Sequence, residues 1–110
     1  MYDLKDHGDG KFSLSGHMGF QTADRILRES ETLFEQHTLL EVDLSGVTQT
    51  DSAGLALLLE WITWANHTVR EIRFTGMPAK IDAIARTTEV DQLLTKGERW
   101  VGFIEAPNGY

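Results

Sequence analysis

The stretch Thr50-Asp51-Ser52-Ala53-Gly54 holds the residue types in this sequence best suited to chemistry. An acid and a hydroxyl stand directly before a leucine-rich run. That placement is the first turn of a helix, where unbonded backbone N–H groups and the helix dipole favour negative charge. Two readings stay open. In one, Asp51 or Ser52 is an N-cap that contributes about 1 kcal/mol. In the other, the Ser52 hydroxyl is displayed at the helix start, where a phosphate or a partner's polar group is received. Gly54 then lets another backbone come close.

Other reactive arrangements are missing. His7, His17, His37 and His67 lie far apart, without metal-ligand spacing, and surface roles are expected for them. Ser52 has no glycine two residues before it, as a nucleophile elbow needs. Gly8-Asp9-Gly10-Lys11 lacks the spacing and the following helix of a phosphate-binding loop. Asp43 and Asp51 are a nominal carboxylate pair, but acids near strand ends are usually solvated or capping. No cysteine is present, which removes disulfides, thiolate metal sites and thiol nucleophiles. A binding module, not an enzyme, and no metal or cofactor are the expectations.

The elements that position Ser52 follow from periodicity. Tyr2 to His7 and Lys11 to Ser15 flank a glycine turn and read as a hairpin, with Phe12 and Leu14 facing inward. Gly16 to Phe20 reads as a loop. Thr22 suits a helix cap, with Asp24 in the first turn, and Ile26, Leu27, Leu33 and Phe34 carry the first helix to about His37. Leu40, Val42 and Leu44 alternate with acids in a strand, and Ser45 to Thr50 reads as a polar connection. A second helix spans about Ser52 to Ala65. Ile72 and Phe74 mark a strand over Glu71 to Thr75, and Pro78 opens a third helix with Ile81, Ile84 and Ala85 inward. Leu93 and Leu94 suggest a short fourth helix, and the tail from Trp100 to Tyr110 is unassigned.

Strands alternating with helices predict an α/β fold with a mixed, largely parallel sheet. Both inner strands carry charge on every second residue, so about four helices are expected mainly on one face. On the second helix, Leu55, Leu58, Leu59, Ile62 and Ala65 form the expected core face, and Leu57, Trp61 and Trp64 an adjoining stripe. The polar remainder is Ser52, Ala56, Glu60, Thr63 and His67. The two tryptophans either pack under a neighbouring helix or join a partner site.

The chain has 110 residues, enough for one domain, expected over 1–110. Ten Lys and Arg against seventeen Asp and Glu give a net charge of −7, which argues against nucleic acid and against charge-driven docking on anionic lipid. The longest apolar run, Ala53 to Leu59, has seven residues, far short of the roughly 20 of a membrane helix. The N-terminus lacks the basic start and apolar stretch of a signal peptide. Direct membrane insertion is not expected, and a cytoplasmic location is.

The strand Leu40-Glu41-Val42-Asp43-Leu44, the connection Ser45-Gly46-Val47 and then Asp51-Ser52-Ala53-Gly54-Leu55 resemble the STAS domain. That family includes anti-sigma factor antagonists and cytoplasmic tails of sulfate transporters. The resemblance runs from about Leu40 to Leu94 and implies a STAS-type fold. Within the family, Gly54 to Leu59 followed by Glu60-Trp61 is most similar to the MlaB branch, the small STAS subunits of a bacterial ABC system that moves phospholipids to keep the outer membrane asymmetric. Anti-sigma antagonists more often have Ser where this chain has Ala53 and Gly where it has Ala56.

The MlaB resemblance implies a non-catalytic subunit bound to an ABC ATPase (MlaF-like) and through it to the permease, peripheral to the inner membrane on the cytoplasmic side. Ser52, Ala56, Glu60 and Thr63 are then the expected contact edge, with Met77 and Pro78 added from the third helix start. MlaB proteins often carry Thr where this chain has Ser52, and Ser is the residue phosphorylated in the anti-sigma antagonists. The rival expectation is therefore an antagonist switched by phosphorylation of Ser52, with an anti-sigma factor kinase as partner. A third reading is nucleotide binding in the STAS manner.

Overall fold

The computed structural model describes residues 1–88. The element order is β1 (Tyr2–Asp6), β2 (Lys11–Met18), α1 (Ala23–Phe34), β3 (Leu39–Thr50), α2 (Ser52–His67), β4 (Glu71–Thr75) and α3 (Ala79–Thr87). The four strands form one sheet in the order β1-β2-β3-β4. β1 pairs antiparallel with β2, and β2, β3 and β4 are parallel. The mixed, largely parallel α/β architecture is as expected. Three helices stand among the described residues; the fourth, around Leu93 and Leu94, and the tail lie outside them.

Crossovers between parallel strands are right-handed, and here each one advances to the next strand in the same direction. Successive helices therefore fall on the same side of the sheet. Phe12, Leu14 and Met18 of β2, Leu40, Val42 and Leu44 of β3 and Ile72 of β4 face that side and are buried. The other face carries Ser13, Ser15, Asp43 and the cross-strand pair Arg73 Nη2–Glu41 Oε1 at 2.9 Å.

Two elements are longer than their side-chain pattern predicts. β2 continues through Gly16, His17 and Met18, where a loop was expected, and β3 continues through Ser45 to Thr50, where a polar connection was expected. The extensions pair with each other, Gly16 with Val47, His17 with Gln49 and Met18 with Thr50. Their polar side chains hide a ladder whose stability lies in backbone hydrogen bonds. Register shifts at Ser13/Ser15 and Gly16/His17 interrupt the pairing and with it the alternation that would have revealed it.

α2 is the central helix, packed between α1, α3 and the sheet. Leu57 and Trp61, expected on an adjoining stripe, are buried, whereas Leu59 of the expected core face is only half-buried. The helix turns further toward α1 than the leucine pattern alone suggests. Trp61 is 1% exposed and packs under α1, its ring centroid 5.2 Å from that of Phe34. Its indole N–H donates to Ser30 Oγ at 2.8 Å, and Ser30 Oγ donates in turn to the Leu27 carbonyl at 2.8 Å. Trp64 is half-buried beneath Arg70, whose guanidinium lies 4.8 Å from the ring centroid and donates to the carbonyls of Glu35 and His37 at the end of α1. That clamp offsets the strain of Val69, a β-branched residue at φ 58° just after α2.

Ser30→Ala leaves a fully buried indole N–H without an acceptor. It is expected to lower stability by about 1–3 kcal/mol, read from the urea midpoint. An unchanged midpoint contradicts the role given to this bond.

Candidate functional site

The first turn of α2 sits at the end of the sheet where β2 and β3 finish. Asp51 is the N-cap: its Oδ1 accepts from the Ala53 N–H at 2.9 Å. Its Oδ2 accepts from the Phe20 N–H at 3.1 Å, so one carboxylate ties the helix start to the loop after β2. Ser52, the first residue of the helix, is therefore not needed as a cap, and it is exposed.

Partial burial raises the proton affinity of Asp51, but the N–H groups of Phe20, Ala53 and Gly54 and the nearby His17 outweigh it and hold its pKa below the usual value. Asp43 is also held low, chiefly by the Ser45 N–H. The two acids are no catalytic pair. They lie eight residues apart on one extended chain, roughly 26 Å at the rise of a strand.

Gly54 is packed against the chain itself. A Cβ there would fall 2.5 Å from the Met18 carbonyl oxygen and closer still to Thr50 Oγ1. The backbone that comes close is thus that of β2, not a partner's. Thr50 Oγ1 donates to the same Met18 carbonyl at 2.7 Å.

From this seat Ser52, Ala56, Glu60 and Thr63 run down one exposed edge of α2. Pro78 and Lys80 at the start of α3 face Asp51, His17, Gln49 and Thr50 across a cleft of about 610 Å³. Met77 and Pro78 are half-buried, and Met77 packs against the core. The start of the edge and Pro78 thus share one end of the sheet, while Met77 serves packing first. At the opposite end, Lys11, Leu39, Glu41 and Arg73 line a smaller cleft of about 370 Å³.

Three residues have placements that pattern alone conceals. Thr22 does not cap α1 with its side chain; its Oγ1 accepts from the Gly19 N–H at 3.0 Å and donates to the His17 carbonyl at 2.9 Å, fixing the loop. Phe20 projects from that loop and is 84% exposed. His17, expected at the surface, is half-buried beside Asp51 on the cleft. Among the described residues no group of three or more His, Asp or Glu is placed to hold a metal ion, and no helix is long and apolar enough to cross a membrane.

A one-sided α/β sheet with an exposed Ser at the start of a central helix, beside a second helix start, defines a small domain of the STAS class. The chain belongs to the STAS family: the family described as "Mlab, STAS domain" matches residues 3–95. Among solved structures, the chain is similar to the anti-sigma factor antagonist SpoIIAA in its unphosphorylated form, with 14% identity, TM-score 0.59, and coverage of 84% of this chain and 83% of that one. It is also similar to the STAS domain of a SulP transporter from Vibrio cholerae, with 15% identity, TM-score 0.53, and coverage of 84% and 74%. No curated protein matches the chain.

Because the folded-state pKa of Asp51 lies below that of the unfolded chain, near 3.9, its ionised form stabilises the fold above about pH 4. That contribution is lost as pH falls through the folded value. Asp51→Ala is expected to cost about 1 kcal/mol at pH 7. Denaturation curves of parent and variant should converge as pH falls below about 4 and through the lowered folded-state value; a gap that stays constant with pH contradicts this account.

Proposed function

We propose that this chain is a non-catalytic subunit that binds and supports the ATPase of an ABC phospholipid transporter maintaining outer-membrane lipid asymmetry. Its place is the cytoplasmic side of the inner membrane, held there through the ATPase and the permease. The observation that carries the reading is the exposed edge Ser52, Ala56, Glu60 and Thr63 on a helix otherwise buried by its neighbours, in a chain whose family is described by the name Mlab. Small side chains at 52 and 56 let a partner surface approach the helix closely. Pro78 extends the contact across the cleft, and Met77 supports it from beneath.

A second reading is favoured by the Ser52 side chain itself. It is exposed at the positive end of α2 while Asp51 does the capping. A kinase that reached it would add about −1.5 to −2 charges, and the chain would act as an anti-sigma factor antagonist released by phosphate. Peptide mass spectrometry of protein taken from cells separates the two: a Ser52 phosphopeptide belongs to the switch, and its absence under every growth condition ends that reading.

For the leading reading, Ser52→Thr is expected to bind the purified ATPase subunit as the parent does, because the added methyl keeps the hydroxyl. Ser52→Glu is expected to weaken binding at least about tenfold, a change of 1.4 kcal/mol. Equal affinities for Ser52→Glu and the parent, measured by calorimetric titration, remove Ser52 from the contact.

A further inference from the structure

Phe20 is 84% exposed, yet it is not on a loose loop. Its own N–H is held by Asp51 Oδ2 at 3.1 Å, and the N–H groups of Thr22 and Ala23 converge on the Gly19 carbonyl at 2.9 and 2.7 Å. Thr22 Oγ1 binds both the Gly19 N–H and the His17 carbonyl. At Gly19 even a Cβ has no room: it would lie 2.7 Å from Asp51 Oδ2 and 2.9 Å from His17 Nε2. The backbone on both sides of Phe20 is thus bonded to β2 and to the start of α2, and the ring stands in water at the end of the sheet where α2 begins. An aromatic ring held in advance loses little conformational entropy on burial, which is the property of an interface anchor.

The surroundings specify what receives it. The large apolar side chains exposed at this end among the described residues are Phe20 and Met1, which precedes the edge strand β1 and whose carbonyl accepts from the His17 N–H; Leu39 and Val69, also exposed, belong to the far end of the strands. Of the two, Phe20 is the one bonded to the start of α2, and one projecting ring enters a pocket and cannot form one. About two turns further along the α2 edge stands Glu60, which makes no ion pair among the described residues, and the chain as a whole has a net charge of −7. We propose that Phe20 is the anchor of the α2 docking edge, inserted into an apolar pocket rimmed by basic side chains on the partner ATPase. The proposal rests on the reading of that edge as the ATPase contact.

The test is titration of the purified ABC ATPase subunit with the parent chain and with Phe20→Ala, Leu39→Ala, Ser52→Glu and Glu60→Gln, each at low and high salt. Because the ring is exposed, Phe20→Ala keeps the parent's urea midpoint. The expected result is a loss of affinity of about 30-fold or more for Phe20→Ala, the range of an interface hot spot, with Leu39→Ala within about twofold of the parent. Parent binding should weaken with salt, and less so in Glu60→Gln. If Phe20→Ala binds like the parent while Ser52→Glu is weakened, the anchor is refuted and the docking edge stands. Salt-independent parent binding refutes the basic rim. If the parent binds no ATPase at all, the functional reading falls and the anchor with it.

Discussion

The absence of a side chain at Gly54 is the constraint on which the functional end of this domain depends. The first turn of α2 lies directly on the Met18 carbonyl, with Thr50 bonded to the same oxygen. An alanine in a helix interior gains up to about 1 kcal/mol over glycine, but overpacking costs about 1–3 kcal/mol. Here the obstacle includes a backbone carbonyl that is itself hydrogen-bonded, so crowding outweighs propensity. With α2 seated at this height, the Asp51 carboxylate reaches two backbone segments at once, and Ser52, Phe20 and the cleft toward Pro78 take fixed relations to one another.

The same seating explains why the edge of α2 is polar. A sheet covered on one side by three helices buries its middle helix from three directions: by α1, by α3 and by the strands beneath. Only one narrow stripe reaches water. Trp61 could be placed deep between α1 and α2 because Ser30 accepts its N–H, which removes the penalty of an unpaired buried donor. Burial and binding are thus assigned to different sectors of one helix, a division that a two-helix arrangement would not impose.

Periodicity made much of this legible. The alternation at Leu40, Val42 and Leu44 and at Ile72 and Phe74 marks true strands. The polar remainder of the second helix, from Ser52 to His67, is exposed at every position named. What stayed hidden was held by backbone or by context. The outer halves of β2 and β3 pair through polar residues across two register shifts, so no hydrophobic pattern announces them. Thr22 looks like a helix cap because capping residues and loop-locking residues have the same chemistry. Phe20 is invisible in sequence for the opposite reason: an aromatic residue at the end of a loop does not say whether it is covered until the fold shows that nothing covers it.

β3 has a mechanical consequence. Its twelve residues span roughly 36 Å, and it lines the small cleft with Leu39 and Glu41 at one end and the larger one with Gln49 and Thr50 at the other. It is the inner strand that every helix crossover passes, hydrogen-bonded on both sides along its first half. Its second half is bonded to β2 alone, across two register shifts, and it is this singly supported half that lines the cleft toward Pro78. One strand thus joins a doubly paired end to an end whose outer edge is left open to the loop before α2 and to the start of α3.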